Sequence, residues 1–506
     1  MVSPGLSAVR VHRVAARPQA PAGGAQKLPP RRRGCGHLRT LARLLCRVGL
    51  VGLVPGCVLT QPTSPYAGMA THGLPRDLDG SITPAEPEQA RGPVGLAEAI
   101  AIALANNPEL AATGYDAAAV DAQLDVATSQ RLPSLHAVSG YTRYADGQRL
   151  VAAEENGELG VFSQDIFSGD LVLSLSLFTG GRITSEVRAA ELLRAAAEQR
   201  LARTREELVF NVTRVFYGVL AQRRVIESLE FSRTSLQEHL TRVQELIAVQ
   251  KAAKVDQLRT EVRVADVEQR LVRARNVLAV EIRVLASLLG HEGPRDIDPA
   301  GTLEMTEAPV VTPDQALLEA LRVRPDVLAA RAALEAQAKA VDAARAGHWP
   351  TVALAGSYGG RWAADPTDRP SGVDSAEDVG RVGVVVDVPL FDGGRVDAKV
   401  REQRAKLAAA QERLRKLELQ VRLDVAAATL DIASAAERVA ATGKAIEQAK
   451  ESLRIERERY DLGKGSITDV LDAQSALLDT QTTYYLALAD HRVALAQLKL
   501  ATGEQP

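Results

Sequence analysis

Along this chain the hydrophobic period alternates between about 3.6 and 2, and it does so in the same order twice. From Leu96 to about Arg131, and again from Pro313 to about His348, apolar residues recur at helical spacing in Ala-rich stretches. Pro108 and Pro325 are expected to break each stretch into a short helix and a longer one, because an interior proline lacks a donor and clashes with the preceding turn. Pro133 and Pro350 then end the helical pattern and strict alternation begins. In Asp170–Phe178, Leu171, Leu173, Leu175 and Leu177 alternate with Asp170, Val172, Ser174 and Ser176. In Thr351–Trp362, Val352, Leu354, Tyr358 and Trp362 alternate with Thr351, Ala353, Ser357 and Arg361; in Arg381–Phe391, Val382, Val384, Val386, Val388 and Leu390 share one face. A fourth stretch, Ser134–Tyr144, is less regular. About ten residues with one apolar and one polar or small face satisfy a transmembrane β-strand. They equally satisfy a half-buried strand of a soluble sheet.

Helical patterning returns after Gly181-Arg182 and runs without proline to about Gln250; its counterpart runs from Arg395 to about Tyr460. At 1.5 Å per residue each spans roughly 100 Å. A return helix follows in each half, Val255–Leu289 and Ile467–Ala501, with Gly290 and Gly503 placed as C-terminal caps. Heptad-like apolar spacing with Arg and Glu between predicts two coiled-coil hairpins.

The repetition extends to individual residues. Asn107-Pro108-Glu109-Leu110 recurs as Arg324-Pro325-Asp326-Val327, offset by 217, and Phe178-Thr179-Gly180-Gly181-Arg182 as Phe391-Asp392-Gly393-Gly394-Arg395, offset by 213. Val255-Asp256 matches Thr468-Asp469, again at 213. A unit this long is not a solenoid repeat of 20–50 residues. It predicts two pseudo-equivalent halves: residues 94–290 and 313–503, joined by a linker over 291–312. Four strands cannot close a barrel, and an open strand edge is not tolerated in lipid. If these strands cross a membrane, several chains must share one cylinder; a trimer gives twelve.

Composition narrows the function classes. The net charge of −2 gives no electrostatic reason to bind nucleic acid. Cys35, Cys46 and Cys57 are the only cysteines, so the body of the chain has no thiol chemistry. Residues 1–47 are rich in arginine without a single acid, and the short apolar run Val48–Gly56 ends at Cys57. This predicts an export leader over 1–56, with Cys57 resembling a bacterial lipidation site, and a Pro/Thr/Gly/Ser-rich tether over 57–93. The eight histidines are scattered, no cysteine cluster or phosphate loop occurs, and no nucleophile–base set is evident, so neither metal nor cofactor is expected.

With these motifs in order, twice, residues 94–503 resemble the TolC-like outer-membrane factor family. The resemblance rests on Ala105–Leu110, Leu132-Pro133-Ser134, the paired Phe-x-Gly-Gly-Arg motifs, Pro389-Leu390-Phe391 and Tyr460–Asp472. It implies a mainly α fold with a membrane β-barrel, built as a trimer with twelve strands and a periplasmic α-helical barrel. The implied role is a passive duct of efflux or type I secretion, not an enzyme, docking onto a periplasmic adaptor and an inner-membrane pump. By the same resemblance Asp469 and Asp472 correspond to aspartates ringing a closed aperture, Asp256 to the matching acid of the first half, and Tyr460 to a latch residue. Some members carry an arginine where this chain has Gly465, so their latch bonding does not transfer. Gly463 and Gly465 are expected to make the hairpin turn, with adaptor contact as a second role. Independently of the family, Ser466–Asp469 is a capping-box pattern that places Asp469 at a helix start. A periplasmic coiled-coil adaptor is the alternative, but an adaptor has one hairpin where this chain has two.

Overall fold

A computed structural model describes residues 92–151, 159–291, 297–306, 312–363, 366–368 and 375–504. The expected leader, Cys57 and all but the end of the tether lie outside them. The helices are α1 (Leu96–Asn106), α2 (Pro108–Ser129), α3 (Arg182–Ala248), α4 (Lys254–Leu288), α5 (Pro313–Val323), α6 (Pro325–Arg345), α7 (Arg395–Asp461) and α8 (Ile467–Thr502). The strands are β1 (Gly92–Val94), β2 (Ser134–Arg149), β3 (Phe162–Phe178), β4 (Ile297–Pro299), β5 (Thr351–Ala363), β6 (Pro366–Asp368) and β7 (Ala376–Asp387). Pro108 and Pro325 occupy the first turn of α2 and α6, where no intrahelical donor is needed. None of the described helices is long and apolar enough to cross a membrane.

Two expectations need correction. The last strand occupies Ala376–Asp387 rather than Arg381–Phe391: beyond Asp387 the chain has no ladder partner, and Pro389 cannot donate. The tether and linker are not wholly irregular, since β1 within 92–94 pairs in parallel with β4 within 297–299.

The main sheet is antiparallel in the order β2-β3-β5-β7, with the short β6 against β3. Its register puts Leu135, Leu173, Gly356 and Val382 in one row, and Ala137, Leu171, Tyr358 and Gly380 in another. Leu175, Leu354 and Val384 make a third row on this face, and Tyr141, Phe167 and Trp362 a fourth. These side chains are largely exposed, Val382 at 78%. The opposite face carries His136, Val172, Ser357 and Arg381 in one row and Val138, Asp170, Gly359 and Val379 in the next. There Arg361 reaches Asp170 at 3.0 Å and Arg381 donates to the Ser357 hydroxyl at 3.0 Å. One side is therefore apolar and exposed, while the other mixes small, polar and charged residues with valines. From Phe167 to Phe178, β3 runs about 36 Å, which projects to about 28 Å at a barrel tilt near 40° and matches a hydrocarbon core. Past Phe167 the apolar band ends where Tyr141 donates to Asp165 (2.6 Å) and Tyr358 to Asp378 (3.2 Å).

β3 and β7 continue into the 67-residue α3 and α7, while β2 and β5 follow the shorter α2 and α6. The helices keep the order of the strands, α2 packing on α3, α3 on α6, and α6 on α7. Toward the hairpin tips the order becomes α4-α3-α8-α7. The hydrophobic core is built twice from corresponding residues. Ala99, Ala103, Leu110, Leu208, Val212 and Leu285 make one cluster; Ala316, Ala320, Val327, Val421, Val425 and Leu498 make the other, at offsets of 217 or 213.

One polar position fastens each core. The Asn107 amide caps α2 by accepting from Glu109 N (2.9 Å) and Leu110 N (3.1 Å), while its NH₂ donates to Leu288 O at 3.0 Å. At the equivalent place Arg324 donates to Ala501 O at 3.2 Å. Leu288 and Ala501 are themselves counterparts at the 213 offset. Both side chains thus tie the proline break to the end of the return helix.

Candidate functional site

The sites predicted from sequence gather at the two hairpin tips. The tips share one backbone turn despite different sequences: Lys251 N donates to Leu246 O (2.8 Å) in the first, and Lys464 N to Arg459 O (2.9 Å) in the second. Each turn needs one left-handed residue, Gln250 at φ 62° and Gly463 at φ 69°. Glycine adopts this conformation without penalty, whereas a residue with a Cβ pays about 1–2 kcal/mol. Gly465 has no such φ. A Cβ there would sit 3.0 Å from Tyr460 N and 3.1 Å from the Arg459 Cβ, so this glycine permits close packing on the last turn of α7. Gly463→Ala is expected to speed amide exchange over 459–466, reflecting about 1 kcal/mol of turn strain, and Gln250→Gly to slow it in the first turn. Hydrogen–deuterium exchange mass spectrometry reads both.

Asp256 and Asp469 begin α4 and α8 as equivalent caps. Ala253 N donates to the Asp256 carboxylate at 3.3 Å and Ser466 N to that of Asp469 at 3.4 Å. The Ser466 hydroxyl accepts from Thr468 N (3.2 Å), so the box closes one residue earlier than its simplest form. The structure separates the environments of the two gate candidates of α8. Asp469 is exposed and occupied only by its cap. Asp472 is held by Arg263 of α4 at 3.1 Å, and one heptad on, Asp479 is held by Arg270 at 2.7 Å. This Arg–Asp ladder crosses from one hairpin to the other. Sequence reasoning missed it, although both pairs repeat at seven residues and at one offset of 209.

Tyr460 ends α7 half-buried between two apolar clusters, its ring 5.4 Å from His239 of α3. Behind it Arg457 donates to Gln474 Oε1 (2.7 Å) and to the Ser235 hydroxyl, and Gln474 donates to the Ser232 hydroxyl (3.3 Å). Burial, then the nearby Asp256 and Asp461 charges, push the Tyr460 phenol up from its ordinary value. Burial and the Arg457 charge hold the His239 imidazole down, outweighing Asp461. Among the described residues the Tyr460 hydroxyl, His239 Nε2 and Arg457 Nε find no hydrogen-bond partner. Tyr460 and Asp256 are therefore brought together, as are Asp472 and α4, and all four helix ends meet at one place. No group of three or more metal-ligating side chains occurs among the described residues.

A sheet that is apolar and exposed on one side and mixed on the other, with β3 and β7 each continuing into a 67-residue helix, is the architecture of an outer-membrane channel subunit. The sequence matches the Outer membrane efflux protein family over residues 99–291 and 316–504, one match in each repeat, and the chain belongs to that family. It is 26% identical to the outer membrane protein TolC of Vibrio cholerae over 416 residues, covering 81% of this chain and 90% of that protein. A membrane protein from Pseudomonas aeruginosa superposes with a TM-score of 0.71 at 23% identity, over 81% of this chain and 93% of that one. The outer membrane protein VceC of Vibrio cholerae gives 0.68 at 21%, over 81% and 96%. The chain is an outer-membrane protein of the TolC-like type, and its relatives are channel proteins rather than enzymes.

Proposed function

We propose that three copies of this chain form a passive duct through the outer membrane and across the periplasm, closed at its hairpin tips. Its partners are a periplasmic adaptor and an inner-membrane pump that supplies the energy. The observation that carries this is the four-stranded arc with an exposed apolar face and two unpaired edges, β2 and β7. In lipid those edges require partners, and the same edges on a second and a third copy are the available ones. The helices support the same closure. α4 exposes Val255, Leu258, Val262, Val277, Val280 and Val284 at heptad-like spacing, and α7 exposes Leu419, Leu423 and Leu430. These two helices flank the arc at the tip, where neighbouring copies meet in a ring.

The tip residues fit a gate. Asp469 places an uncompensated carboxylate at the start of α8, and three such groups around an axis favour cations over anions. The Arg263–Asp472 and Arg270–Asp479 pairs fasten the hairpins to one another, in a chain whose Gly465 cannot supply an arginine latch. Extraction from outer membranes tests the assembly. Detergent-solubilised protein is expected to have the mass of three chains by light scattering and to conduct in planar bilayers. A detergent-independent, water-soluble monomer would overturn the proposal.

A further inference from the structure

Just below the strands, the second repeat carries a basic cleft whose charged residues are not repeated at the corresponding positions of the first. It lies between the end of α6 and the first turns of α7, measures about 570 Å³, and is lined by Arg345, His348, Trp349, Asp397, Arg401 and Arg404. Asp342 takes Arg345 at 3.4 Å, and Asp397 faces His348 at 3.5 Å. Arg401 and Arg404, three residues apart on one side of α7, are exposed and form no ion pair among the described residues. Three arginines thus face two carboxylates, so the cleft is net positive even with His348 neutral.

The first repeat supplies the control. At the 213 offset Arg401 and Arg404 correspond to Arg188 and Glu191, which neutralise each other at 2.7 Å. At the 217 offset Thr128 and Leu132 stand where Arg345 and Trp349 do. One copy of a duplicated position keeps a self-paired arginine; the other presents two unpaired guanidiniums beside a tryptophan. Such forks match the oxygens of a phosphate group in bidentate fashion.

Position selects where that phosphate comes from. α7 begins at Arg395, so Arg401 and Arg404 lie about 9 and 14 Å along its axis, and helical side chains lean back toward the N-terminus, here toward the strands. The polar headgroup layer is about 5–8 Å deep on each side of the hydrocarbon core. Trp349, 61% exposed, stands at the level where amphipathic rings gather at a membrane boundary. We propose that this cleft binds a phosphate group, supplied by the headgroup of a phospholipid in the periplasmic leaflet, one per protomer. The proposal rests on the membrane placement of the strand arc given above.

The purified trimer in detergent is titrated with phosphatidylglycerol or with inorganic phosphate, and bound molecules are counted by native mass spectrometry. The unmodified trimer is expected to retain up to three phosphatidylglycerol molecules. R401Q/R404Q weakens their binding on the order of 30-fold, the product of two lost arginine attractions at a membrane surface. R401K/R404K, which keeps charge but not the bidentate fork, falls between, and R188Q/E191Q leaves binding unchanged. Inorganic phosphate bound as tightly as the lipid, and lost in R401Q/R404Q, supports the phosphate site but assigns it to a free anion. Wild-type lipid retention by an R401Q/R404Q trimer overturns the site while leaving the duct intact. A chain that yields no membrane trimer at all overturns both.

Discussion

Arg324→Ala is expected to destabilise the second repeat by about 3–5 kcal/mol, the range for removing one partner of a buried ion pair. Arg324 is 2% exposed, and its guanidinium holds Asp326 at 2.7 Å, Asp424 at 3.1 Å and the Ala501 carbonyl at 3.2 Å. Without it two half-buried carboxylates face each other, a helix-terminal carbonyl loses its donor, and a cavity opens beside Gly503. The measurement is thermal denaturation in detergent, and R324A/D326N/D424N should recover part of the loss because it removes the orphaned charges. Asn107→Ala, at the equivalent place in the first repeat, is expected to cost less, about 1–2 kcal/mol, since a neutral cap leaves no charge behind. The pH dependence has a definite sign. Burial alone acts to raise the Asp326 carboxyl, but the Arg324 guanidinium outweighs it and holds it below its ordinary value. A depressed carboxylate stabilises the fold above its unfolded pKa of about 3.9, and that stability is lost as pH falls through the folded value. The gap between wild type and R324A should therefore narrow on acidification below about pH 4. An equal gap at neutral and acid pH would show that the ion pair is not what stabilises this junction.

Breaking the Arg–Asp ladder is expected to open the duct. Arg263→Ala with Arg270→Ala removes two pairs per protomer and six per trimer. These pairs are exposed, with Asp472 at 75%, so each is worth only about 0.5 kcal/mol after solvent screening. Six together give about 3 kcal/mol, which shifts a closed–open equilibrium on the order of 100-fold. In planar bilayers the double variant should show higher mean conductance with cation selectivity retained or increased, because Asp472 is unmasked. Asp469→Ala with Asp472→Ala should also raise conductance, but with weaker cation selectivity, because the charges themselves are gone. The effect of R263A/R270A should shrink at high salt, where the ladder is already screened. A correctly assembled trimer with unchanged conductance and selectivity in both double variants would exclude these residues from the gate.

Much of the architecture was legible because it rests on periodicity and repetition. Val382, Val384 and Val386 alternate with Arg381, Gly383, Val385 and Asp387, so one face of the strand is apolar throughout. Pro108 and Pro325 fix where helices restart, since their missing N–H fits only the first turn. The offsets of 217 and 213 announce that two cores are built alike, and Ala103 with Ala320, or Val212 with Val425, occupy corresponding places in them. At the tips, helix starts at Asp256 and Asp469 follow from local capping chemistry alone.

What sequence did not reveal depends on which helices become neighbours. Arg263 and Asp472 are 209 residues apart, and nothing local states that α4 and α8 approach; only the packed hairpins make their charges partners. Arg324 looks like a surface arginine until the core closes over it and Asp424 arrives from a helix one hundred residues away. The identity of turns shows the same division: Gln250 carries no sign of a left-handed backbone, yet it adopts one at φ 62°. The sequence alone therefore determined the elements, their order, their duplication and the two-sided strands, because these follow from hydrophobic period and backbone chemistry within a few residues. Only the tertiary structure decided the ion-pair ladder, the buried arginine and the unpaired basic cleft, because charge acts through distance in space, and spacing along the chain does not fix that distance.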